Sequence, residues 1–98
     1  MKIRYTDPAA DDLEESISYF RDHVSSLVAD FADCVDNAVA EILANPYAVQ
    51  ETEWRGIRRW HIQRFRYSIF YAIEDQEIVI LHIRHAARQW PWERDEIE

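Results

Sequence analysis

A chain of 98 residues with 11 Lys/Arg against 19 Asp/Glu carries a formal net charge of −8, which makes one domain and weighs against binding a polyanion over its whole surface. A domain of this length buries roughly 65% of its unfolded surface and needs neither disulfides nor metal to fold. The single glycine, Gly56, excludes a glycine-rich phosphate loop, and the single cysteine, Cys34, excludes an internal disulfide.

Lys2 to Thr6 alternates apolar Ile3 and Tyr5 with polar neighbours, the pattern of a short strand. Asp7-Pro8 then reads as an N-cap followed by proline at the first helical position. Ala9, Leu13, Ile17 and Phe20 recur at helical spacing, with Asp11, Asp12, Glu14 and Glu15 expected to face water, and the pattern fades at Asp22-His23. A second helix is expected from Ser25 or Ser26. Its stripe of Val28, Phe31, Val35, Ala38, Val39 and Ile42 ends before Asn45-Pro46, where proline stops the hydrogen-bond ladder, and Cys34 falls on its apolar side as a packed thiol.

Tyr47 to Arg55 has no usable period and reads as a loop. Three strands follow, Ile57 to Arg64, Tyr67 to Glu74 and Ile78 to Arg84, with connections so short that they must form an antiparallel meander. In the middle one Tyr67, Ile69, Tyr71 and Ile73 share a face and Ser68, Phe70 and Ala72 the other, so the strand is central. The expected fold is α+β, in the order β-α-α-β-β-β, a helical hairpin packed on a small antiparallel sheet that the first strand joins. Residues 1–98 form a single domain, with 89–98 as a C-terminal tail. No apolar run is long enough for a signal peptide or a membrane span, so a cytoplasmic protein with no membrane partner is expected.

Charge is unevenly spread. Met1 to Glu53 holds 3 Lys/Arg against 12 Asp/Glu, Trp54 to Trp92 holds 7 against 3, and Glu93 to Glu98 holds 1 against 4. A cationic segment in an anionic protein implies a negatively charged partner.

The element order, with Ala9-x-x-Asp12-Leu13, Pro46, Gly56-Ile57-Arg58, Tyr67-x-Ile69-x-Tyr71 and His85-x-x-Arg88 in sequence, resembles the RelE/ParE toxin superfamily of bacterial type II toxin-antitoxin modules, and the ParE branch most. In that branch the last strand commonly runs into His-x-Arg-Arg and then an aromatic and a proline. Here the run is His85-Ala86-Ala87-Arg88-Gln89-Trp90-Pro91, with Ala87 where an arginine is usual. The resemblance implies a small toxin held inactive by a cognate antitoxin. ParE-like toxins act on DNA gyrase and block replication, RelE-like ones cut mRNA on the ribosome, and a degenerate module would retain only antitoxin binding or regulation.

Metal-free RNA cleavage needs a base, an acid and cations around the phosphorane-like charge. His85, Arg64 and Arg88 are the candidates for such a nuclease. For contact with a target or antitoxin the candidates are Arg58, Trp60, Arg64, Arg84, His85, Arg88 and Trp90, with Arg58 alternatively paired to a helix carboxylate and His82 given a polar surface role. Neither cofactor nor metal is expected, since His82 and His85 point to opposite strand faces and lack an acidic or thiol partner.

Overall fold

A computed structural model describes residues 1–86. The elements are β1 (Lys2–Tyr5), α1 (Asp7–His23), α2 (Val28–Ala44), β2 (Arg58–Ile62), β3 (Tyr67–Glu74) and β4 (Glu77–His85), with single 3₁₀ turns at Ser25–Leu27 and Arg64–Arg66. The sheet order is β1-β4-β3-β2. The meander β2-β3-β4 is antiparallel as expected, while β1 joins β4 in parallel. The helical hairpin explains this: it carries the chain back over the sheet, and a crossover of that length permits parallel pairing.

Helix α1 is capped by Thr6 rather than Asp7. The Thr6 hydroxyl accepts from the Ala9 N–H at 3.1 Å, and Asp7 sits in the first turn, where its charge favours the helix dipole. No serine caps α2; Ser25 and Ser26 instead form the 3₁₀ turn that reverses the chain. The end is as the proline dictates, at Ala44, with Asn45 out of helical geometry at φ −142° and ψ 68° before Pro46.

One layer of core lies between the hairpin and the sheet. Ala9, Phe31, Val35, Ala38 and Ile42 from the helices meet Ile62, Tyr67, Ile69, Tyr71, Ile78, Ile80 and Ile83. Cys34 is half-buried against them, an unpaired thiol. Two phenols tie the layers together: Tyr67 donates to the Ser16 hydroxyl at 3.0 Å and Tyr71 to the Pro46 carbonyl at 2.8 Å. Burial raises the Tyr71 pKa above the usual phenol range, with the Arg58 charge pulling the other way. A raised folded-state pKa means that the folded chain keeps its proton longer, so this stability is present below the unfolded pKa of about 10 and is lost as pH rises through the folded value. Tyr71→Phe is expected to lower stability by about 0.5–1.5 kcal/mol at neutral pH and to soften the alkaline limb of unfolding, which a urea titration at neutral pH and above pH ~10 will show.

Position-specific backbone sets the turns. Asp75 and Gln76 both have positive φ, 47° and 63°, as a two-residue hairpin between twisted strands requires. Phe65 and Arg66, between β2 and β3, are also left-handed at 68° and 56°. In the loop before β2, Gly56 takes φ +80°, and the Thr52 hydroxyl donates to the Ile57 carbonyl at 2.9 Å while accepting from the Trp54 N–H at 3.2 Å. A β-bulge interrupts β3–β4: Phe70 pairs with His82, but Tyr71 pairs with Ile80, leaving Leu81 as the extra residue.

Candidate functional site

Pairing fixes which side chains share a face. Arg58, Tyr71 and Ile80 form one row, Trp60, Ile69 and Ile83 the next, and Ile62, Tyr67 and His85 a third, all on the helix side. On the opposite side lie the rows Arg59, Phe70, His82 and His61, Ser68, Arg84. The basic segment is therefore divided between two faces, and the Leu81 bulge decides on which side Arg84 falls.

Arg58 is bound locally rather than to a helix carboxylate. Its Nη1 donates to the Val49 carbonyl and its guanidinium lies 5.1 Å from the Tyr47 ring centre. Trp60 is half-buried against the core. Arg64 reaches Asp30 of α2 at 3.0 Å, with both side chains half-exposed, a geometry worth about 0–1 kcal/mol. His85 packs its ring edge-on to Tyr67, with centroids 5.3 Å apart at 77°, and borders a cleft of about 510 Å³ with Ser16, Tyr19, Phe20 and Phe65. Arg88, Trp90 and the expected tail 89–98 lie outside the described residues.

Sequence reasoning placed Asp12 in water, yet the structure buries it to 5% exposure. It lies on an inner stripe of α1 with Ala9 and Ser16, at i, i+3 and i+7, all buried. Its Oδ2 receives the Ile83 N–H at 3.0 Å and the His82 Nδ1 at 3.0 Å, and the Arg84 Nε stands 3.5 Å away. His82 is thus half-buried and bonded rather than a free surface group. The reason is topological. β1 pairs with β4 only as far as Ile80, so the edge beyond it needs acceptors and donors from elsewhere. Thr6 supplies the first, its N–H bonding the Ile80 carbonyl at 3.0 Å and its hydroxyl reaching the Ile80 and Leu81 carbonyls at 3.1 Å. Asp12, almost two turns along α1, supplies the next.

Of the three nuclease candidates, Arg64 is paired with Asp30 of α2 and His85 lies on the helix side of the sheet, while Arg88 lies outside the described residues. The nearest alternative is His61 and Arg84, two strands apart in one row and therefore about 10 Å between backbones. Among the described residues, no group of three or more His, Cys, Asp or Glu is placed to hold a metal ion, and no helix is long and apolar enough to cross a membrane.

The model of the ParE toxin of type II toxin-antitoxin systems, parDE, matches residues 3–90. The chain belongs to the ParE toxin family. Comparison with curated protein sequences finds no match. Among solved structures, this ParE chain is similar to the chromosomal ParDE toxin-antitoxin system of P. aeruginosa, with TM-score 0.76 and 23% identity over 87% of this chain and 95% of that one. A YoeB/ParE toxin from Agrobacterium tumefaciens has TM-score 0.61 and 15% identity over 87% and 98%. The isolated E. coli RelE toxin has TM-score 0.61 and 12% identity over 98% and 95%. These likenesses establish the RelE/ParE-like fold. Within it, the ParE chain exposes Asp7, Asp11, Glu14, Asp33, Asp36 and Glu41 on its helices, and carries Arg59 and His61 exposed on the opposite sheet face.

Proposed function

We propose that this chain is the toxin of a type II toxin-antitoxin pair, silenced by a cognate antitoxin and acting in the bacterial cytoplasm on DNA gyrase, by protein contact and without a cofactor. The observation that carries the reading is the ParE family match across residues 3–90. The acidic balance supports it, since a ribosome-bound nuclease gains from counterion release at many phosphates and this chain has a net charge of −8. Ribosome-dependent mRNA cleavage is the second reading, and the His61–Ser68–Arg84 row is what favours it.

Induction in growing cells without antitoxin is expected to halt DNA synthesis first, with filamentation and DNA-damage signalling. Pulse labelling of DNA, RNA and protein checks this. An immediate collapse of protein synthesis with DNA synthesis intact identifies the nuclease instead, and unimpaired growth identifies a degenerate module.

Antitoxin C-terminal segments in such modules are acidic and fold on binding, and the basic sheet face carrying Arg59, His61 and Arg84 suits them. Apolar anchors supply the affinity and the charges supply mainly the encounter rate. Raising salt to about 0.5 M, where the Debye length falls to about 4 Å, is expected to slow association several-fold and leave dissociation nearly unchanged. Surface plasmon resonance with the antitoxin of the neighbouring reading frame measures both rates; association indifferent to salt rejects the charge-steered mode.

A further inference from the structure

We propose that Asp12 is a positioning residue: its carboxylate fixes the Arg84 guanidinium at the open edge of β4, so that the terminal nitrogens of Arg84 meet an anionic group of the toxin's target. This rests on the toxin reading above, and it adds a residue that nothing in the family match assigns.

Three observations carry it. First, the carboxylate is itself immobilised. The Ile83 N–H holds Oδ2 at 3.0 Å and the His82 imidazole holds the same oxygen at 3.0 Å, so its place does not depend on Arg84. Second, the grip on Arg84 comes from behind. Nε stands 3.5 Å from that oxygen and is sealed from solvent without a hydrogen bond of its own, while the whole side chain keeps 18% exposure. A guanidinium is planar, so holding it through the Nε side leaves the edge formed by Nη1 and Nη2 for a carboxylate or phosphate. Third, the other cations with resolved contacts are committed elsewhere. Arg4 pairs with Glu77 at 2.9 Å, Arg21 with the Ser18 hydroxyl at 3.1 Å, Arg58 with the Val49 carbonyl and Arg64 with Asp30. Arg84 is held by charge at its inner end and shares its row with exposed His61 across Ser68.

A purely structural Asp12 would do no more than close the edge of β4. The two roles separate in Asp12→Asn, because the amide oxygen still accepts the Ile83 N–H but no longer attracts Arg84 by charge. The experiment compares the full-length wild type, Asp12→Asn, Arg84→Gln and the double variant by the intracellular dose that halves growth, by thermal midpoint, and by NMR exchange of the Arg84 Nε–H with water. Asp12→Asn is expected to raise the required dose roughly ten-fold, as loss of orientation does, and to accelerate Nε–H exchange several-fold. The double variant is expected to be no weaker than Arg84→Gln alone, since both act through one group. Additive losses, or a folded Asp12→Asn with wild-type dose and wild-type exchange, overturn the proposal. If Asp12→Asn does not fold, Arg84→Lys decides: it keeps the charge near Asp12 but loses the planar fork, so it is expected to be as weak as Arg84→Gln, and full potency overturns the proposal. If the wild type itself leaves growth unharmed, the toxin reading fails, and unchanged Nε–H exchange in Asp12→Asn would independently refute the positioning.

Discussion

Asp12→Ala is expected to lower the thermal midpoint by at least about 12 °C, from a loss of about 3–5 kcal/mol at about 4–8 °C per kcal/mol for a domain of this size. The loss is large because the substitution strips an acceptor from two donors and a counter-ion from a third group at once. Without the carboxylate, the Ile83 N–H has no partner at the open edge of β4, the half-buried His82 loses its bond to Asp12, and the sealed Nε of Arg84 loses this counter-ion. Each lost partner leaves its donor with a desolvation cost unmet. Asp12→Asn restores one acceptor and is expected to cost only about 1–2 kcal/mol. Differential scanning calorimetry of both variants provides the measurement. A midpoint for Asp12→Ala within 4 °C of wild type would show that water replaces the carboxylate, and that the edge of β4 is wetter than its burial indicates.

The same residue marks where the sequence stopped being legible. Both helices, the meander and the central place of β3 follow from apolar spacing, and the end of α2 at Ala44 follows from Pro46, because each rests on local chemistry. Parallel pairing of β1 was not readable, since it depends on how the hairpin returns the chain. Asp12 was read as solvated because it lies beside acidic Asp11, Glu14 and Glu15. The signal against that reading was the spacing Ala9, Asp12, Ser16, a stripe of small or short polar residues that lets a helix approach a strand edge closely. The faces of the last strand were hidden for a different reason. Strict alternation from Ile78 and Ile80 would turn His82 and Arg84 toward the helices, whereas the extra residue at Leu81 hands that side to Ile83 and His85. A bulge has no fixed composition, so strand periodicity alone does not show that Arg58 and Arg84 fall on opposite faces.

Phe31→Ala is expected to remove about 3–5 kcal/mol, the range for emptying a fully buried aromatic site, and with a urea slope near 1 kcal/mol/M to move the unfolding midpoint by roughly 3 M or more. Phe31 is 1% exposed and packs against three rings, with centroids 4.8 Å from Phe20, 5.5 Å from Phe65 and 4.9 Å from Tyr67. The consequence extends beyond the cavity itself. Phe65 sits at φ 68°, a left-handed conformation costing about 1–2 kcal/mol for a residue with a side chain, and its packing against Phe20 and Phe31 is what offsets that cost. With Phe31 gone, the turn at 64–66 has less reason to stay wound, and the cleft bordered by Phe65, Tyr67 and His85 loses one wall. Phe31→Leu keeps most of the volume and is expected to cost much less, under about 1.5 kcal/mol if the neighbours repack. Arg64→Ala touches the same turn from the solvent side and is expected to change stability by no more than about 1 kcal/mol, because its partner Asp30 is half-exposed. The order of the three urea midpoints therefore tests where this turn draws its support: equal losses for Phe31→Ala and Arg64→Ala would place that support in the surface ion pair and not in the ring cluster.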